Sequence, residues 1–310
     1  MDIHSALIYL ALGAIVAFQN PQTPVEPRPG RIVIDAVILD RAGMPVLDVK
    51  PSELEVWIAG YRIPIDAVTF VNPTEGVPSS RVIALLLDDI HVDPAVMPRA
   101  REAARQFVDK MVPNDRIAIV TLSGSTLGAN ADRARLLQRI EAYAPHAWTV
   151  DRLDTMGAHV LNSVAGVSRS IGGLTDRRKA IVAIGPSGLF DTPIPPPTLG
   201  RDLRTEWVDA MRAMAAANIA LYVIDPAGVG GSPTTGGDSG FPRETGGMAF
   251  TNTNDFSRVA DRILRETGSY YLLDVADPPM GRQLDLRALD VRVLRPGLSV
   301  RARRAVRGSR

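Results

Sequence analysis

Residues 81–93 read RVIALLLDDIHVD. An unbroken apolar run from Val82 to Leu87 stops at two carboxylates, Asp88 and Asp89, followed by Ile90, His91, Val92 and Asp93. An apolar run of this length bounded by polar residues must be covered on both faces, which is the pattern of a strand inside a parallel sheet. Met97, Ala100, Ala104, Phe107, Val108 and Met111 then recur at helical steps. Asp93 is the expected N-cap of that helix and Pro94 its first residue. Carboxylates therefore crowd the carboxyl end of a buried strand beside a helix start, which is where open α/β sheets bind ligands.

The rest of the chain fits such a sheet. Buried strands are predicted at 116–122, 179–184 and 219–224, a short one at 247–250 and an edge strand at 126–129. Helices are predicted at 132–142, 153–171, 202–217 and 255–266. Strands alternating with helices predict a doubly wound, mostly parallel sheet with helices on both faces. The ends differ. Residues 31–40, 55–58 and 62–71 read as strands with no helix between them, and so do 270–275, 284–293 and 300–306. A β unit of roughly 45 residues is marginal alone. Segments 31–75 and 269–306 are therefore expected to form one sandwich-like domain, with the α/β domain, 80–268, inserted between them.

Residues 6–18, ALIYLALGAIVAF, have the length of an export-signal core and are short for a bilayer span. A Pro-rich linker follows to residue 30. Residues 1–19 are expected to be a cleaved signal peptide, which makes the mature protein secreted or periplasmic with no membrane span. An uncleaved anchor is the alternative, because the preceding MDIHS lacks Lys and Arg. Cys is absent, which excludes disulfides, thiolate metal sites and a Cys nucleophile. The formal net charge of +1 gives no global field for nucleic acid.

Several phrases in order carry a resemblance: Asp88 after the first buried strand, Asp115-Arg116-Ile117-Ala118, Arg177-Arg178-Lys179, Ala217-Asn218-Ile219 with Ile224-Asp225-Pro226, Glu244-Thr245-Gly246-Gly247, Tyr270-Tyr271-Leu272-Leu273 and Arg295-Pro296-Gly297-Leu298. Together they resemble the von Willebrand factor type A–related domain family of secreted acidobacterial proteins, over about residues 31–306. The resemblance implies a non-enzymatic binding or adhesion module that recognises a protein ligand. It also implies a metal-ion-dependent adhesion site: D-x-S-x-S after the first strand, a Thr on a second loop and an Asp after the fourth strand. Asp88 matches the first position, but Ile90 and Val92 stand at the two Ser positions and Gly185 at the second Asp. Thr149 and Thr155 both remain open for the Thr. Hard cations need oxygen ligands, so the standard site reads as degenerate. A rearranged divalent-cation site would use Asp88, Asp89, His91 and Asp93. Mg or Ca suits the carboxylates, and an imidazole among them favours Mn or Zn. The competing reading keeps Asp93 as a cap, and Asp88 and Asp89 held by N–H groups at the helix start.

Two long loops, 185–200 and 226–246, lie at the same edge. Loops beyond about 12–15 residues are uncommon and often functional. The expected ligand-contacting residues are Asp88, Asp89, Thr155 and Ser187, with Phe190, Ile194 and Phe241 as exposed anchors. Gly228–Gly231 is not a phosphate loop, and Gly185-Pro186-Ser187-Gly188 misses the nucleophile-elbow pattern at Leu189. A hydrolase would have to use His91, His146 or His159. Arg292, Arg295, Arg301, Arg303, Arg304, Arg307 and Arg310 crowd the C-terminus. They are expected on one solvated strand face, with contact to an anionic surface as the alternative. The competing functions are a structural scaffold or assembly subunit with an inert crest, and a metal-dependent hydrolase.

Overall fold

A computed structural model describes residues 30–71, 80–147, 153–174, 178–189, 203–230, 240–277 and 286–307. The apolar N-terminal run and its linker lie outside these residues. No helix among those described is long and apolar enough to cross a membrane.

The central run forms β5, Arg81–Leu87, with every residue buried. On one side it pairs in parallel with β6, Arg116–Thr121, and on the other with β8, Arg178–Ile184. Next to β8 lies β9, Ile219–Ile224, and then β10, Met248–Phe250, both parallel. Beyond β6, the strand β7, Thr126–Asn130, closes the sheet antiparallel. The order is therefore β10-β9-β8-β5-β6-β7.

The alternation of β5 sends its side chains to two cores. Ile83, Leu85 and Leu87 pack with α1 (Met97–Asp109), α2 (Arg133–Glu141) and α6 (Phe256–Gly268). Val82, Ala84 and Leu86 pack with α3 (Leu153–Gly172), α4 (Arg204–Ala217) and α5 (Phe241–Glu244). Burying this strand on both faces contributes on the order of 10 kcal/mol at the usual transfer scale. The predicted fold class is the one observed: a doubly wound, mostly parallel sheet with helices on both faces.

The chain ends build two antiparallel sheets. Strands β1 (Arg31–Leu39), β4 (Ile65–Val71), β11 (Tyr270–Ala276) and β13 (Ser299–Ala302) form one, in the order β13-β1-β11-β4. Strands β2 (Leu54–Ile58), β3 (Tyr61–Ile63), β12 (Leu286–Val293) and β14 (Ala305–Arg307) form the other, β14-β12-β2-β3. Ile34, Ile38, Val56, Ile58, Leu273 and Val275 are among the side chains that fill the space between them. Each sheet thus combines strands from before and after the α/β unit. Tyr271 accepts from Val49 N and donates to Val46 O, both at 3.0 Å, pinning the loop after β1.

Among the C-terminal arginines whose side chains are described, Arg292 and Arg304 are exposed as a solvated face requires, but Arg295, Arg301 and Arg303 are half-buried. Arg303 bonds Asn218 Oδ1 (2.8 Å), Ala215 O (3.3 Å) and Val33 O (2.5 Å). Burial and the neighbouring Arg178 pull its pKa down to about 10. Arg301 reaches Glu266 on α6, Arg304 reaches Glu244, Arg292 lies over Trp57 and pairs with Asp290, and Arg295 holds Asp48 and Glu53. At the other side of the joint Arg178 pairs with Asp35 of β1 and lies 4.4 Å from the Tyr270 ring centroid. Arg301, Arg303, Arg304 and Arg178 tie the sandwich to the α/β unit, while Arg292 and Arg295 pair within the sandwich. The side chain of Arg307 and all of Arg310 lie outside the described residues.

Candidate crest at the carboxyl edge of the parallel sheet

Strand order reverses at β5, whose neighbours β6 and β8 follow it through helices on opposite faces. The loops after β5 and β8 therefore diverge, and a crest opens at their carboxyl ends. Asp88 follows β5 directly and is 1% exposed. Its Oδ1 accepts from Ile90 N (3.0 Å) and His91 N (2.7 Å), and its Oδ2 lies 3.0 Å from His91 Nδ1. A carboxylate only accepts, so Nδ1 is assigned the proton. The backbone of Asp88 is held too, with Tyr143 Oη donating to its carbonyl at 2.6 Å. Burial pushes the Tyr143 phenol well above its ordinary pKa, and the carboxylates of Asp88 and Asp89 add to the effect.

Asp89 turns to a different loop. It accepts from Ser123 N (2.9 Å) and Ser123 Oγ (2.5 Å), while its own carbonyl accepts from His146 N. Ser123 is further bonded to Thr121. Across the crest, Asp225 at the end of β9 accepts from both the N–H and the hydroxyl of Ser187. Arg99 on α1 donates to Pro226 O at 2.8 Å and to Asn254 Oδ1.

The sequence-predicted site residues separate accordingly. Asp88 and His91 meet, Asp89 faces Ser123, and Asp93 stands exposed with its carboxylate accepting from Ala95 N. No group of three or more His, Asp or Glu among the described residues could hold a metal ion. Asp93 also does not cap α1. It closes the turn 93–96, with Val96 N on its carbonyl, and the helix starts three residues later than Pro94, at Met97. A Pro at position 98 suits the first turn equally well, which is why the sequence allowed both starts.

Ser187 is buried, 1% exposed, and its hydroxyl donates to Asp225. Phe241 is not an exposed anchor. It is 2% exposed, opens α5 and meets the Trp207 ring edge-on at 6.1 Å. Thr155 lies in the first turn of α3, with its side chain outside the described residues. Thr149, Phe190 and Ile194 lie outside them altogether. Sequence reasoning missed Ser123, Tyr143, Asp225 and Arg99. Asp225 was within reach, since it ends a buried strand as Asp88 does; nothing local marks Tyr143.

No family model and no curated protein sequence matches the chain. Solved structures align with it at low similarity. An aerotolerance-related membrane protein from Bacteroides fragilis, with multiple mutations to serines, aligns at 16% identity and TM-score 0.40, over 61% of this chain and 98% of that one. The three N-terminal domains of the type V pili tip protein Mfa5 from Porphyromonas gingivalis align at 16% and 0.30, over 52% and 27%. The human COPII-coat protein Sec24c aligns at 9% and 0.36, over 75% and 44%. The architecture stands on this chain's own strand order.

Proposed function

We propose that the chain is an exported, non-enzymatic binding module with a von Willebrand factor A-like α/β domain, which meets a protein ligand at the crest. The observation that carries this reading is the arrangement of the crest's polar groups. Asp89 with Ser123, and Asp225 with Ser187, join one loop to another, while Asp88 holds its own loop. His159 is likewise held, its Nε2 lying 2.6 Å from Leu122 O. A nucleophile–base pair needs a hydroxyl hydrogen-bonded to an imidazole, whereas these hydroxyls face carboxylates. A fixed crest rimmed by exposed residues such as Asp93, Ala95, Ala144 and His146 suits recognition. The scaffold reading differs in placing the partner on the sandwich.

A photo-crosslinking residue placed at Ala95 or Ala144, and at Asp290 on the sandwich as the control, separates the two in the producing cell. Crosslinks to one protein from both crest positions and none from Asp290 support the crest. Crosslinks from Asp290 alone would sink it in favour of the scaffold reading.

A further inference from the structure

The residues that the adhesion-site pattern would assign to a divalent cation are arranged for something else. A carboxylate that ligates an ion turns its lone pairs to that ion. Both oxygens of Asp88 are turned to N–H groups of its own loop, those of Ile90, His91 and the His91 ring. The two positions where hydroxyl ligands would stand are apolar and packed. Val92 belongs to the core under α1, and Ile90 packs on the core under α3 and α4. At the position of the second carboxylate, a Cβ on Gly185 would lie 2.6 Å from Asp88 Cβ and 3.0 Å from its Oδ2. Real Cβ atoms do not approach so closely, so the placement of Asp88 and a side chain at 185 exclude each other. The donor set does not fit a divalent cation.

We infer that the imidazole of His91 occupies the role of that cation, holding Asp88 from within so that the crest is set permanently and without metal. The geometry accounts for the glycine at 185 and for the enclosure of Asp88 together. The ring supplies the positive-ended group that a buried carboxylate needs. Its side chain is only 7% exposed, closing the approach to Asp88. Gly185 leaves the space into which Asp88 settles. A ligand carboxylate then cannot be recognised through a shared ion. It has to be met at the exposed rim. The inference concerns how the crest is held and does not depend on which partner binds.

The test uses the full chain after dialysis against chelator, with Mg²⁺, Mn²⁺ and Ca²⁺ added singly. A concentration of about 5 mM exposes any site with a dissociation constant below roughly 1 mM as a raised thermal midpoint, by mass action. The expected wild-type result is no shift and no heat of binding. His91→Ala is expected to lower the midpoint by about 3 °C or more, to the same extent with chelator and with Mn²⁺. In the ¹⁵N spectrum of the wild type, His91 should show a protonated Nδ1, and Asp88→Asn should lose that preference. A wild-type midpoint that rises with a cation, the rise vanishing in Asp88→Asn, would overturn the inference. So would a His91 ring protonated at Nε2 alone, a reading available even where the variants do not fold.

Discussion

Arg81 and Asp115 form a pair whose removal gives a measurable answer. Arg81 opens β5 and Asp115 precedes β6, and both side chains are almost fully buried. Asp115 accepts from Arg81 Nε (2.8 Å), Arg81 Nη2 (2.6 Å) and Val112 N (2.9 Å). The guanidinium also donates to Leu264 O on α6 at 2.7 Å. Asp115→Ala leaves a buried cation with that carbonyl as its remaining partner in this set. Breaking a buried pair from one side costs about 3–5 kcal/mol, because the surviving charge is uncompensated. At about 2–4 °C per kcal/mol for chains of 150–250 residues, the midpoint should fall by on the order of 10 °C. Arg81→Met with Asp115→Leu removes both charges and keeps the volume. It should return to within about 2 kcal/mol of wild type, the residue being Val112 N without its acceptor. Urea unfolding of wild type, Asp115→Ala and the double variant gives the comparison. A loss below about 1 kcal/mol in Asp115→Ala, or a double variant as unstable as the single, would refute the reasoning.

Three further outcomes follow from other sites. A Cβ on Gly247 would lie 1.8 Å from Leu221 O, so Gly247→Ala should displace β10 from β9 and cost about 3 kcal/mol or more, read as a lost thermal transition or poor soluble yield. Phe241→Ala empties a site against Trp207 and should destabilise by about 3–5 kcal/mol; a loss under 1 kcal/mol would place Phe241 outside the core. Hydrogen bonds from Arg295 and from the Lys50 backbone lower the Glu53 pKa from 4.5 to about 2. A depressed carboxyl stabilises the fold above its unfolded pKa and loses that effect as pH falls through the folded value. The stability gap between wild type and Glu53→Gln should therefore be full above pH 4.5 and close towards pH 2; a gap independent of pH would count against the pairing.

The strands were legible because double burial leaves an unambiguous mark. Val82 to Leu87 has no polar residue to place on a wet face, and Ile219–Ile224 reads the same way. The helix after β5 was legible in its body but not in its start, since Asp93 closes a turn with the same side-chain chemistry that caps a helix. Phe241 misled because a four-residue helix is too short to show a period, so the loop after β9 read as unbroken. The Glu244-Thr245-Gly246-Gly247 phrase carried order in the sequence but no stated role. Thr245 Oγ1 accepts from Leu221 N and donates to Pro242 O, Gly246 abuts the Ala302 backbone, and Gly247 abuts Leu221. The C-terminal arginines alternate as a solvated strand would. Their true partners, Glu266, Glu244, Asn218 and Val33, lie on elements 35 to 270 residues away in sequence. No local pattern encodes contacts set by how two units dock.

On the proposed function, these hydrogen bonds would serve recognition as well as stability. Tyr143 and His146 hold the loop of Asp88 and Asp89 by its carbonyls, and Asp89 holds the turn after β6 through Ser123. Asp225 holds the turn after β8, and Arg99 joins the segments after β9 and β10. Five segments that would otherwise be separate connections are thus fixed relative to one another before any ligand arrives. Ordering a loop at the moment of binding subtracts from affinity, whereas a loop already ordered in the free protein imposes no such cost. In the metal-dependent pattern that order would rest partly on an ion drawn from solution. On the inference drawn for His91 it rests on covalently attached donors, so its strength should not vary with cation concentration. If the crest binds a partner as proposed, selectivity would fall to the shape and charge of the exposed rim, where Asp93 and His146 stand, while the buried carboxylates would set only where that rim lies.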